Sequence, residues 1–145
     1  MGVLFENVIE RLKNRVSDLR DVKGVADFTT LLKQNALPQQ TPAAHVVPTS
    51  IRGGKPDAGA GVFTQPTTEA IAIILTLRPN DQAGERALNN LDVFLGSVIA
   101  AIAGWCPDDE LGVFQLERGA VVSMTAGTLV YQLDFSIADQ LRIFP

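Results

Sequence analysis

The run Thr67–Leu77, TTEAIAIILTL, constrains this chain more than any other segment. Alternation puts Ile71, Ile73, Leu75 and Leu77 on one face and Ala70, Ala72, Ile74 and Thr76 on the other. A strand that is largely apolar on both faces cannot lie on a wet sheet surface. The pattern therefore predicts a central strand, covered on at least one side and closely packed over its alanines.

The segments before it supply cover and an edge. Leu4, Phe5, Val8, Ile9, Leu12, Val16 and Leu19 recur at helical spacing and predict an amphipathic helix over residues 4–19. After a break at Asp21–Gly24, Val25, Phe28, Leu31 and Leu32 suit a short helix ending near Asn35, and Pro38 and Pro42 bracket a turn. Ala43–Ile51 reads as a strand with Ala44 and Val46 on one face and His45 and Val47 on the other. Pro48 cannot donate to a ladder, so this strand is expected at an edge or with a bulge there. Arg52–Gly61, RGGKPDAGAG, is expected to be a mobile loop at the tip of a long hairpin.

Beyond the central strand, Asn80 or Asp81 can cap a second long helix over Gln82–Ala103. Leu88, Leu91, Leu95, Val98 and Ile102 form its stripe, and its second half, FLGSVIAAIAG, is apolar almost all round and needs burial in the domain or against another subunit. Gly104 suits its C-terminal cap, Trp105 an anchor and Pro107 a stop. Three strands are expected next, Val113–Glu117, Val121–Thr125 and Leu129–Ile137, with turns at Arg118–Gly119 and Ala126–Gly127. In the last, Leu129, Tyr131, Leu133, Phe135 and Ile137 alternate with Val130, Gln132, Asp134 and Ser136, giving a half-buried strand. The expected fold is α+β: a single domain over residues 1–145, with a mixed, mainly antiparallel sheet of about four to five strands packed on two long helices and a Gly-rich hairpin loop. A chain of 145 residues is long enough to bury a real core.

Chemistry fares poorly in the same sequence. With one Cys and one His, a disulfide framework, a CxxC site and a His-rich metal centre are excluded. Gly53-Gly54-Lys55 resembles a phosphate loop, but Pro56 stands where a Ser or Thr must reach magnesium. Gly59-Ala60-Gly61 begins like a dinucleotide fingerprint, but Thr64 takes the place of the third glycine and a strand follows. His45 has no GxSxG-type nucleophile context and reads as a partly exposed strand histidine; Cys106, between Trp105 and Pro107, reads as a small packed residue. Asp108-Asp109-Glu110 lacks calcium-loop spacing and reads as a solvated corner. No catalytic, cofactor-binding or metal-binding residues are expected.

Location signals are equally sparse. The first residues lack the apolar core of a secretory signal, and Glu6 occupies the position where a myristoylation motif needs Ser or Thr. The stretch Val93–Cys106 is too short to span a membrane, and a net charge of −4 without a Lys/Arg cluster gives no footprint for gripping nucleic acid. Three features go beyond an isolated domain: the apolar second helix, the Gly-rich hairpin and the last strand with its Gln132-Asp134-Ser136 face. Together they suit a subunit that buries further surface in an oligomer.

The order of landmarks is more specific. An amphipathic helix leads to Ala36-Leu37-Pro38, then to Ala43-Ala44-His45-Val46-Val47-Pro48 and the Gly-rich loop; Thr68-Glu69-Ala70-Ile71, Gly104-Trp105-x-Pro107 and Val130-Tyr131-Gln132-Leu133-Asp134-Phe135 follow. This layout resembles the tail terminator (tail completion) proteins of long-tailed bacteriophages, Mu-like and lambda-type, over residues 3–143. The resemblance implies a structural protein of the virion, assembled in the host cytoplasm, with helices on one side of its sheet. It implies a homo-hexameric ring on the head-proximal end of the tail tube that stops polymerisation and offers the head connector a docking surface. The implied partners are further copies of the chain, the tube protein, the connector and, in a contractile tail, the sheath; DNA passes without specific binding and no membrane is involved. In this reading the tip residues Arg52, Gly53, Gly54, Lys55, Pro56, Asp57, Gly59 and Gly61 form an assembly loop, and Gln132, Asp134 and Ser136 face a channel or a neighbour. A head–tail connector or minor tail component is the alternative, and a small ligand-binding or enzymatic domain a more distant one.

Overall fold

The computed structural model describes residues 2–107 and 112–145, with side chains from Phe5 onward, so the acidic corner Asp108-Asp109-Glu110 lies outside the described residues. Among them are four α-helices and five strands, in the order α1 (Gly2–Arg15), β1 (Asp21–Lys23), α2 (Val25–Lys33), β2 (Ala43–Gly53), β3 (Phe63–Leu77), α3 (Gln82–Asn89), α4 (Leu91–Ile102), β4 (Gln115–Thr125) and β5 (Thr128–Ile143). They form one mixed sheet in the order β1-β2-β3-β5-β4, with β1 parallel to β2 and every other pair antiparallel. The expected central strand is central: β3 pairs with β2 from Ala43↔Thr76 to Gly53↔Thr67 and with β5 from Leu77↔Leu129 to Phe63↔Ile143.

The core lies on the face of β3 that carries Ile71, Ile73, Leu75 and Leu77, all fully buried. Ala44 and Val46 of β2 and Leu133 and Phe135 of β5 share that face by register. Val8 and Leu12 of α1, Val16 just after it, and Phe94, Val98 and Ile102 of α4 close over it in one cluster. Burying such side chains contributes roughly 1.5–3 kcal/mol each.

The opposite face is not bare. His45, which alternates with Ala44 and Val46, meets α2: its Nε2 lies 2.8 Å from Asp27 Oδ2 and its ring 5.3 Å from that of Phe28. Helices therefore cover both faces, correcting the one-sided arrangement expected from the resemblance. His45 is only 1% exposed, so its reading as partly exposed is also wrong. The β1–α2–β2 crossover explains both: β1, absent from the sequence reading, is three residues long, too short for a periodic signal, and it fixes the entry to α2.

Two element boundaries differ from expectation for local reasons. The second long helix is two helices. Asn90 leaves helical geometry (φ −128°, ψ 47°) and its Nδ2 donates to the Arg86 carbonyl, while the Asn90 carbonyl accepts from Phe94 N–H and starts α4. The expected turn at Arg118–Gly119 is part of an uninterrupted β4, which absorbs irregularity in bulges between Leu116 and Arg118 and between Val121 and Ser123. Gly119 is needed there because a Cβ would sit 2.9 Å from Leu133 Cδ2 and 3.1 Å from Tyr131 Oη. The Ala126–Gly127 turn is present, with both residues at positive φ (51° and 81°) as a tight two-residue hairpin requires. The expected bulge at Pro48 is also present, between Pro48 and Ser50.

Candidate functional site

The chain's hairpin tip is built rather than loose. β2 runs through Arg52 and Gly53, and Gly54 N–H donates to the Pro66 carbonyl at 2.7 Å. Asp57 and Thr64 exchange two backbone hydrogen bonds of 2.8 Å, Gln65 Nε2 donates to the Gly54 carbonyl, and Asp57 Oδ1 accepts from Gly59 N–H. Gly59–Gly61 makes a short 3₁₀ turn. The expected mobile loop is thus a hydrogen-bonded extension of the sheet; glycines there bring the backbones close, since a Cβ on Gly54 would meet the Pro66 ring at 2.9 Å. All residues from Arg52 through Gly61 are exposed, and among the described residues neither Arg52 nor Lys55 makes an ion pair.

The last strand's polar side chains do come together. Gln132 Nε2 donates to Asp134 Oδ1 at 2.8 Å, and Ser136 Oγ donates to Glu117 Oε1 at 2.6 Å. Gln115 Nε2 donates to both Glu117 and Ser136. This face is less open than the alternation suggests: Gln132 and Asp134 are half-buried and Ser136 is buried. The partners on β4 were invisible in the sequence because the bulge at Leu116–Arg118 decides which β4 side chains share this face.

A surface the sequence reading did not single out is β4 itself. It closes one side of the sheet and pairs only with β5, and Leu116, Val121, Val122 and Met124 along it are exposed. An apolar strand with an unpaired edge is a template for another chain unless something covers it. Adjacent apolar residues in Val121-Val122 are the signal that could have marked it.

At the other side, Phe5, Pro48, Thr49, Ser50, Ile51, Glu69 and Ala70 line a cleft of about 280 Å³. Glu69 is only 8% exposed. Burial raises its pKa above the ordinary glutamate value, with Asp139 adding repulsion and the chain's terminal ammonium opposing it. Asp139 lies on the same face, two pairs further along the β3–β5 ladder.

Cys106 is exposed, not packed as expected. Trp105 is half-buried as an anchor: it stacks on Phe114 at 6.0 Å and carries the Arg11 guanidinium 4.9 Å over its ring. Among the described residues no three His, Cys, Asp or Glu side chains converge to hold a metal, and no helix is long and apolar enough to cross a membrane.

Comparison with known proteins gives one finding. The family model described as phage tail terminator protein matches residues 3–143. No curated protein matches the sequence. With a match over nearly its whole length, and a mixed sheet whose edge and hairpin tip are left uncovered, the chain belongs to the phage tail terminator protein family, structural proteins of the phage tail.

Proposed function

We propose that this chain closes the head-proximal end of a tail tube as a hexameric ring, ending tube polymerisation and presenting the surface on which the head connector docks. Family membership carries the reading, and the uncovered β4 edge and built hairpin tip support it. A ring made by head-to-tail contacts needs two different patches on each copy, and rotation through a full circle satisfies them all. Here β4 and the hairpin tip are separate exposed regions of one chain.

Termination is then a matter of complementarity. One side of the ring matches the last tube ring; the opposite side lacks the complement for another tube subunit, so growth stops. In this reading Arg52, Gly53, Gly54, Lys55, Pro56, Asp57, Gly59 and Gly61 contact a neighbouring copy or the tube, and Gln132, Asp134 and Ser136 turn toward the channel or a neighbour. Six copies at −4 each carry −24, a field that favours passage of DNA over adhesion. The sheath of a contractile tail would meet the outside of the same ring.

Tails assembled without the protein test this. Overlong tubes of variable length are the expected outcome. Tubes of normal length that lack only heads would instead make the chain a connector or minor tail component.

A further inference from the structure

Among the described residues the sheet ends in two backbone edges without a partner strand. One is β4, which bonds only to β5 and carries no lysine or proline to guard its open side. The other belongs to β2: β1 pairs with it only at Ala43, Ala44 and His45, so residues 46–53 have an open outer side, and all from Pro48 to Gly53 are exposed. Such rows of donors and acceptors are met by water or by another strand, and the apolar side chains of β4 favour the strand.

Strand direction decides which strand fits. β2, β3, β5 and β4 alternate in direction across the sheet, so β4 runs opposite to β2. A second copy set beside the first by rotation about an axis along the strands keeps its strand directions, and its β2 therefore meets β4 antiparallel. The side chains agree with that pairing. Arg52 stands four residues beyond Pro48 and Glu117 four before Val121, so a register that sets Arg52 beside Glu117 also sets Pro48 beside Val121. Each pair shares a face of the continued sheet: Pro48 opposes Ile71 and Val121 opposes Tyr131 on the core side, whereas Arg52 opposes Thr68 and Glu117 bonds Ser136 on the other. Each strand also breaks step beside the apolar pair, between Pro48 and Ser50 and between Val121 and Ser123, where Pro48 has no N–H to give.

We infer that β4 of one copy pairs antiparallel with residues 46–53 of β2 in a second copy, so that the sheet runs on from subunit to subunit. This contact presupposes the ring reading and specifies its subunit interface: two different edges meet, the head-to-tail form that a closed ring requires, whereas β4 on β4 would be two-fold and end at a dimer. Main-chain hydrogen bonds hold the strands together, Pro48 covers Val121, and Arg52 opposite Glu117 sets the register.

The test is disulfide cross-linking on purified tail tubes, in a Cys106→Ser background because that thiol is exposed. Arg52→Cys chains mixed with Glu117→Cys chains should form covalent dimers, and neither variant should couple to itself. Charge reversal gives a second measurement. Arg52→Glu or Glu117→Arg should weaken self-association about tenfold in sedimentation, and the two together should restore it. Both sites are exposed, so the unfolding midpoint of the unassembled chain should change little. Rings on tubes without the mixed cross-link, Glu117→Cys chains that couple to themselves, or reversals whose effects add would each overturn the pairing and leave the ring reading standing. A wild-type chain that never self-associates, even on tubes, would remove both.

Discussion

Asp81 shows how one side chain can hold a junction. Its Oδ1 accepts from Ala83 N–H and caps α3, while its Oδ2 accepts from Thr41 N–H at 2.7 Å and from Thr41 Oγ. Thr41 Oγ in turn accepts from Arg78 N–H, and Arg78 Nη1 donates to the Pro38 carbonyl. Gly84 completes the junction, since a Cβ there would collide with the Arg78 carbonyl and Thr41 Oγ. Asp81→Ala should cost about 2–3 kcal/mol in urea denaturation, combining a lost cap with orphaned donors. The Thr41 N–H holds the Asp81 pKa below its ordinary value, so its contribution is complete above the unfolded-state pKa and is lost as pH falls through the folded one. Glu69 has the opposite sign. Its raised folded pKa means that the ionised form weakens the fold above that pKa, and the penalty fades as pH falls through it. Stability measured against pH in wild type and Glu69→Gln should therefore converge toward acid and separate toward neutrality, with the variant the more stable; curves that stay parallel would contradict the buried charge.

At the scale of elements, the sheet extends further than its helices. Lysines replacing Val121 and Met124 on β4 should change monomer stability by less than about 0.5 kcal/mol, since both side chains are exposed, and should suppress ring formation in sedimentation if β4 is covered on assembly. Gly119→Val should instead cost the monomer 1–3 kcal/mol or about that, because Leu133 and Tyr131 occupy the space. What could be read from the chain followed periodicity. β3 alternates with both faces apolar, α1 has a clear stripe, and Asp81 and Ala126-Gly127 are local signals, so each was legible. The break at Asn90 was not, because the leucine stripe continues across it and the interruption is one residue's backbone geometry. β1 was too short to show a period, and the continuity of β4 through Gly119 depends on side chains of β5 above it. The candidate surfaces followed the same rule. The hairpin tip announced itself through glycines, whereas the β4 edge and the Glu69 cleft exist only after the strands are in register.

The whole molecule has a closed core and exposed apolar margins. α1 and α4 bury one face of the sheet, α2 covers His45 on the other, and the apolar side chains of β4 and the hairpin tip are exposed. That division fits a structural protein of the phage tail. The central claim is that it closes tube growth. Purified chain mixed with tail tubes and imaged by electron microscopy tests this directly: the account predicts a ring at one end of each tube and no further elongation when tube subunits are added. Tubes that keep growing with the protein present, or ends that never acquire it, would contradict the account.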